Sequence, residues 1–192
     1  MNVTLLNGAP AGDNFADAVA AALAGARPAA EWAVAAWTLR DEQIAPCIGC
    51  FECWTKTPGL CRIKDAGRDV ARSVIQSDLT IFLTPITFGG YASELKKALD
   101  RIICLISPFF TQIDGEVHHH ARYARYPRLL GVGVLPAPQP AQEQIFHTLI
   151  ERNAINLHAP ARHSAIVYRS QEPAIAVAAL RPILSATERR AA

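Results

Sequence analysis

The amino-acid sequence predicts a three-layer α/β sandwich around a five-stranded parallel sheet of order 2-1-3-4-5. Two observations carry this. Five short apolar runs alternate with five helical segments, the pattern of parallel strands joined by right-handed helical crossovers. The run from Leu79 to Pro85 is almost continuously apolar, as a strand covered on both faces must be.

In chain order, Val3 to Asn7 reads as the first strand and Asp13 to Ala24 as an alanine-rich helix. A second strand is expected near Trp32 to Thr38, followed by a cysteine-rich loop at residues 40–65 and a helix from Ala66 to Gln76 with Asp65 as its cap. After the central strand a helix starts near Ser93 and places Leu95, Leu99, Ile102, Ile103 and Ile106 on one stripe. Residues 107–127 show no period, so a loop is expected there, and a loop of that length implies a lid or a subunit contact. Leu129 to Leu135 is a fourth strand, Pro140 to Asn153 a helix and Ser164 to Tyr168 the last strand. The final helix runs from Pro173 to Ser185, with Pro182 expected to kink or shorten it.

With 192 residues the chain fits a single domain with an ordinary core, and 51 % hydrophobic against 19 % charged residues excludes a disordered chain. A net charge of +2 is too small to imply a polyanionic partner, and nothing matches a nucleic-acid-binding module. The opening apolar run is short and lacks a basic flank, so no signal peptide is expected. No apolar stretch reaches the roughly 20 residues of a membrane span, which makes the cytosol the expected location.

Cys47, Cys50, Cys53 and Cys61 form a CxxCxxCx7C pattern, and the turn Thr57-Pro58-Gly59 can swing the fourth thiol toward the first three. In a reducing compartment such clusters bind metal or do redox chemistry rather than form structural disulfides. A four-iron cluster and zinc both accept four thiolates, and a set of thiols packed without metal is the plainer alternative. Cys104 stands apart in an apolar segment and reads as a small core residue. His118, His119 and His120 are consecutive, so their side chains alternate in direction and cannot all serve one ion. The neighbouring Arg122, Arg125 and Arg128 read as a solvated basic face.

In the expected topology, the loops after the first and third strands meet at the switch point of the sheet, where ligands bind. Gly8, Pro10 and Gly12 precede a helix N-terminus, which favours a phosphate. Gly89 and Gly90 can open backbone amides to a flat ring, with Phe88 and Tyr91 as packing faces.

The segment TPITFGGYASELKKALDRI resembles the flavin-contacting loop and following helix of flavodoxin-like NAD(P)H-dependent FMN reductases. CIGCFECWTKTPGLCRIKDA is similar to the cysteine motif of iron-sulfur flavoproteins, and GEVHHHARYARYPRL resembles a stretch found in many of the same proteins. The resemblance implies a flavodoxin-like fold and an oxidoreductase that carries electrons from NAD(P)H or a reduced carrier through FMN to a small acceptor such as a quinone. It implies FMN contacts from Ala9, Pro10, Gly12, Asn14 and Phe15 on the phosphate side and from Pro85, Ile86, Thr87, Phe88, Gly89 and Gly90 on the ring side. By the same resemblance Cys47, Cys50, Cys53 and Cys61 would hold a [4Fe-4S] cluster, and the assembly would be a homodimer or tetramer. No side chain is required as a catalytic acid or base.

The chain departs from the family in its first loop. Ala9 and Ala11 stand where the family has a serine and a basic residue, and Asp13-Asn14-Phe15 where it has hydroxyl side chains. Each hydrogen bond lost is worth about 1 kcal/mol or more, so FMN binding is expected to be weakened. A flavin-free subunit, with a metal-stabilised cysteine loop as an interaction surface, is the alternative this departure raises.

Overall fold

In the computed structural model, which describes residues 1–26 and 32–186, five parallel strands form the centre of the molecule. They are β1 (Asn2–Asn7), β2 (Ala33–Thr38), β3 (Leu79–Thr87), β7 (Arg128–Leu135) and β8 (Arg162–Tyr168). Their order is β2-β1-β3-β7-β8, which is the expected 2-1-3-4-5 once strands outside the parallel sheet are set aside. Two short additions account for the numbering. The two-residue β4 (Gly90–Tyr91) folds back on β3, while β5 (Ile106–Ile113) and β6 (Glu116–Ala121) form a separate antiparallel hairpin.

The period of two along the strands divides the core into two layers. Val3 and Leu5 of β1 and Leu79, Ile81 and Leu83 of β3 face one side. There they meet α1 (Asn14–Gly25), α6 (Pro173–Ala178) and α7 (Arg181–Ala186) through Val19, Leu23, Val177 and Leu184. Leu6 and Phe82 face the other side, against α3 (Ala66–Gln76), α4 (Ser93–Arg101) and α5 (Pro140–Asn156) through Val70, Leu95 and Phe146. A four-residue helix, α2 (Glu52–Thr55), lies within the cysteine loop.

Helix starts follow their caps. The Asp13 side chain accepts from the Ala16 N–H, and the Asp65 side chain from the Gly67 N–H. The C-terminal helix is broken rather than kinked: α6 ends at Ala178 and α7 begins at Arg181. The ring of Pro182 excludes the carbonyl four residues earlier, that of Ala178, which places the break there.

Residues 107–127 are not the irregular loop that the missing period predicts. Strands β5 and β6 pair across the turn Asp114-Gly115, whose φ values of 51° and 83° are those of a tight hairpin turn. The period is lost for a physical reason. Phe109, Phe110 and Val117 are exposed, and the pairing register shifts between Ile106 and Phe110, so no single face records burial. The expected stripe on the preceding helix also stops early: α4 ends at Arg101, a 3-10 turn spans Ile102–Leu105, and Ile106 already belongs to β5.

At the carboxyl edge of the sheet, β1 and α4 are in direct contact. The Gly8 N–H donates to the Leu83 carbonyl at 2.8 Å, and a Cβ at Gly8 would lie 2.5 Å from the Leu95 Cβ. We expect Gly8→Ala to destabilise the protein by about 1–3 kcal/mol, the cost of overpacking, measured as a lower urea midpoint with an unchanged slope.

Candidate functional site

Between β2 and α3 the chain leaves the sheet and returns close to its point of departure. The return is fixed by Asp65 and Arg101. The Arg101 guanidinium takes both Asp65 oxygens, at 2.8 and 2.7 Å, and donates to the carbonyls of Ala45 at 2.8 Å and Ile63 at 3.2 Å. Asp65 Oδ2 also accepts from the Ala45 N–H, and the Ala66 N–H reaches the Gln43 carbonyl. The two ends of the cysteine loop are therefore tied to one buried side chain of α4. The Arg101 side chain is 1 % exposed, and a Cβ at Gly67 would come within 3.0 Å of its Cζ, so α3 starts hard against the guanidinium.

Inside the loop, Gly49 and Phe51 adopt left-handed φ values of 64° and 57°, turning the chain into α2. The Thr57-Pro58-Gly59 turn then works as its residues suggest. Gly59, at φ 86°, donates its N–H to the Cys53 carbonyl, and the Thr57 hydroxyl bonds the Leu60 carbonyl at 2.7 Å. The Cys61 carbonyl is held by Arg68 Nε at 2.7 Å. Trp54 anchors α2 by donating Nε1–H to the carbonyls of Ile103 and Ile106, at 3.2 and 3.0 Å.

All four predicted thiols line one cavity of about 710 Å³ between this loop, α4 and α5. Its other walls include Tyr91, Leu99, Ile103 and Leu149, with Gly90 at its edge. Cys53 is buried and Cys47 and Cys50 are exposed. Burial pushes the Cys53 thiol up, and the neighbouring Cys61, Cys47 and Cys50 add to the rise. Four thiols from one short segment facing one cavity are the donor set that soft metal centres use, and in that respect the residues fit an iron-sulfur or zinc group. In this conformation no group of three or more His, Cys, Asp or Glu side chains among the described residues is arranged to hold an ion. Cys104 is a core residue, as expected, yet it adjoins the cluster. Its thiol is pushed up to about 12, first by burial and then by Cys53 and Cys61.

The ring-side loop is a closed turn rather than an open one. Strand β3 runs through Pro85, Ile86 and Thr87 and doubles back at Phe88-Gly89, with Thr87 opposite Gly90 and Ile86 opposite Tyr91. The Gly89 N–H donates to Gln142 Oε1 at 3.1 Å, and a Cβ at Gly89 would strike Ile145, so the turn is seated on α5. Of the two glycine amides expected to face a ring, that of Gly89 is thus held by a side chain. Phe88 is 92 % exposed at the tip, whereas Tyr91 is half-buried against the core, edge-on to Phe82 and Phe146, with its hydroxyl accepting from Asn153 Nδ2. Phe88 stands exposed where a packing face for a ring was expected. Tyr91 offers its flank only to the cavity.

The phosphate-side loop has a different character. Ala9 is buried and donates its N–H to Asn7 Oδ1. Asp13 caps α1 and is paired through both oxygens with Arg169, at 2.6 and 2.5 Å. Arg169 follows β8, and its guanidinium carbon lies 5.8 Å from the centre of the Phe15 ring. Arg40 forks onto Asp17 at 2.9 and 3.0 Å and reaches the Ala9 carbonyl. Pro10, Gly12 and Asn14 complete the loop, Gly12 at φ 83°. The cavity that gathers the cysteines does not extend to Ala9–Phe15, so the structure joins the cysteine loop to the ring-side turn and leaves the phosphate-side loop apart. The three histidines lie on β6 and diverge as expected: His118 meets Glu116, while His119 packs against Trp54 and Phe110.

Arg101, Arg169 and Gln142 carry this site without a signature in the sequence. Arg101 alone left a trace, since it follows Leu95 and Ala98 at three-residue intervals on the buried face of α4. Arg169 lies 156 positions from its partner, and nothing local marks it.

A five-stranded parallel sheet of this order, with loops meeting at its carboxyl edge, defines a flavodoxin-like α/β protein. Among solved structures it is similar to an NAD(P)H:quinone oxidoreductase from Methanothermobacter marburgensis, with a TM-score of 0.71 and 13 % identity over 100 % of this chain and 99 % of that one. It is also similar to an FMN-dependent NADH-azoreductase from Bacillus anthracis in complex with FMN, with a TM-score of 0.62 and 10 % identity over 98 % and 99 % of the two chains. A curated relative, an iron-sulfur flavoprotein of Methanocaldococcus jannaschii, is 36 % identical over 64 residues, which are 33 % of this chain and 32 % of the relative. The chain thus matches about a third of that relative's length. The model of the NADPH-dependent FMN reductase family matches residues 1–160, and the chain belongs to that family of oxidoreductases, whose enzymes act on small-molecule acceptors. Among the described residues no helix is long and apolar enough to cross a membrane.

The paired carboxylates give the fold a dependence on pH. The Arg169 hydrogen bonds hold the Asp13 carboxyl below its ordinary value of 3.8, with burial working the other way. For Asp65 burial is the largest influence and pushes upward, but Arg101 and the Ala45 and Gly67 amides outweigh it, and this carboxyl also lies below 3.8. A carboxyl that is a stronger acid when folded contributes stability that is fully present above about pH 4 and lost as pH falls below it. Asp65→Ala would leave Arg101 buried without its counter-charge, at a cost of about 3–5 kcal/mol. We expect this loss in urea denaturation at neutral pH, together with a smaller fall in stability between about pH 4 and pH 2 than the wild type shows.

Proposed function

We propose that the protein is an FMN-dependent oxidoreductase that takes electrons from NAD(P)H or a reduced carrier and delivers them to a small acceptor such as a quinone. The observation that carries this reading is that one cavity is lined both by Cys47, Cys50, Cys53 and Cys61 and by Gly90 of the ring-side turn. The same one-domain chain would thus have its metal donors and its flavin loop at a common wall.

In this reading the turn from Thr87 to Gly90 holds the ring edge. Its backbone is pre-shaped by the β3–β4 pairing and by Ile145 beneath it. The Gly89 amide exchanges Gln142 Oε1 for a ring acceptor at little cost, because one neutral hydrogen bond replaces another. Phe88 covers the ring from the exposed side. FMN, when bound, supplies the step between hydride and single-electron chemistry. Cys47, Cys50, Cys53 and Cys61 would hold an iron-sulfur cluster, whose contribution is one-electron transfer. Leu99, Ile103 and Leu149 give the cavity the apolar walls that a flat, uncharged acceptor needs. We assign no side chain an acid or base role. Exposed Phe88, Phe109 and Phe110 support assembly as a homodimer or tetramer.

A flavin-free interaction subunit is the second reading, and the Asp13–Arg169 pair at the phosphate-side loop is the observation in its favour. One preparation separates the two. Protein purified without air should show flavin absorbance, about four iron atoms per chain and NAD(P)H-driven quinone reduction. An absence of flavin absorbance, with no gain in thermal stability on adding FMN, would sink the first reading. Cys50→Ser should lose the metal and keep the fold, because a core of this size does not need a metal staple. Metal retained at the wild-type level would refute ligation by Cys50.

A further inference from the structure

A phosphate ester bound at a helix N-terminus asks for backbone amides and, beside them, a guanidinium fork. Both are present at the start of α1, and both are engaged by the protein's own carboxylate. Asp13 Oδ1 accepts from the Ala16 N–H at 3.1 Å, and the two Asp13 oxygens take the two terminal nitrogens of Arg169. The Asp13 side chain is 5 % exposed, so this carboxylate sits in the loop rather than in solvent. The second guanidinium nearby, Arg40, is committed in the same way to Asp17, which Asn7 Nδ2 also holds. The two arginines that reach the start of α1 are thus both engaged by carboxylates, and Arg40 also lies 3.7 Å from Asp41.

We propose that the Asp13 carboxylate stands in for the flavin phosphate, so that this chain recognises the flavin by its ring and does not distinguish FMN from riboflavin. The inference rests on the flavin reading given above and adds the specificity of that site. A phosphate entering here gains Arg169 only by displacing Asp13, which exchanges one charge-assisted pair for another of similar strength. The displaced carboxylate would then lie, barely hydrated, beside a dianion, and that repulsion cancels what the phosphate gains elsewhere. Neither flavin suffers this exchange at its ring, because the turn from Thr87 to Gly90 is separate from the loop.

The test is a pair of titrations under one ionic condition, with flavin fluorescence or calorimetry as the readout. Wild-type protein should bind FMN and riboflavin with dissociation constants within about threefold of each other. Asp13→Ser retains a capping hydroxyl and frees Arg169, so FMN should tighten by about tenfold or more while riboflavin stays within about threefold. The double variant Asp13→Ser with Arg169→Ala should lose that gain. Asp13→Asn, which keeps the shape and the cap, should move in the same direction as Asp13→Ser, and thermal melts of each variant establish that it is folded. A wild-type preference for FMN of about tenfold or more, or an unchanged FMN-to-riboflavin ratio in the folded Asp13 variants, overturns the proposal. Binding of neither flavin to wild type or variants overturns the flavin reading itself, which is a distinct result.

Discussion

A guanidinium taken out of water is tolerable only when every charge around it is matched, and the architecture of the cysteine loop follows from how Arg101 meets that condition. One carboxylate, Asp65, balances its charge, and two carbonyls, Ala45 and Ile63, accept further hydrogen bonds from its terminal nitrogens, while Nε is buried without a partner among the described residues. Because Ala45 and Ile63 stand at opposite ends of the loop, satisfying Arg101 also closes the loop. Asp65 serves a second purpose as the cap of α3, so the start of that helix and the closure of the loop depend on the same atoms. Arg101 itself belongs to α4, the helix that follows the ring-side turn. One buried side chain of the helix that follows the ring-side turn therefore also closes the cysteine loop.

The carboxyl edge of the sheet is built by close approach. Gly8 lets α4 pack onto the backbone of the first loop, and Gly89 lets the ring-side turn rest on Ile145. Both contacts remove room that a side chain would need, so the two loops are held in register by exclusion more than by attraction. Electrostatics then divides that edge. On one side the ring-side turn offers a neutral, exchangeable hydrogen bond and an exposed phenyl ring. On the other, Asp13 with Arg169, and Asp17 and Asp41 with Arg40, leave a loop whose arginines are all paired. At the start of α1 the protein's own acid, Asp13, caps the helix and holds Arg169.

Much of this was legible beforehand, and the exceptions share a cause. The strands announced themselves because burial on one or both faces imprints a period on the sequence, and the caps Asp13 and Asp65 because a short acid before an apolar run has a local purpose. The β5–β6 hairpin escaped because neither of its faces is buried in the main core, although Asp114-Gly115 is a sound turn signal that the missing period overshadowed. The stripe on α4 reads too far because Ile102 and Leu105 are buried in the same core layer as Leu95 and Ala98, although the backbone has already left the α-helix for a 3-10 turn. Tyr91 and Phe88 read alike in the sequence because spacing within a turn does not show that one ring packs on the core and the other faces solvent.

The sequence by itself determined the five parallel strands and their order, the run of four cysteines and the glycine-bearing loops after the first and third strands, since each of these depends on local spacing and composition. Tertiary structure alone decided which of them meet. It brought the cysteines and Gly90 to one cavity, and it placed Arg169 from the end of β8 on Asp13 at the start of α1, with β3 and β7 lying between β1 and β8. Charge pairing acts through space and is indifferent to separation along the chain, so a contact across 156 positions leaves no pattern for a local reading to find.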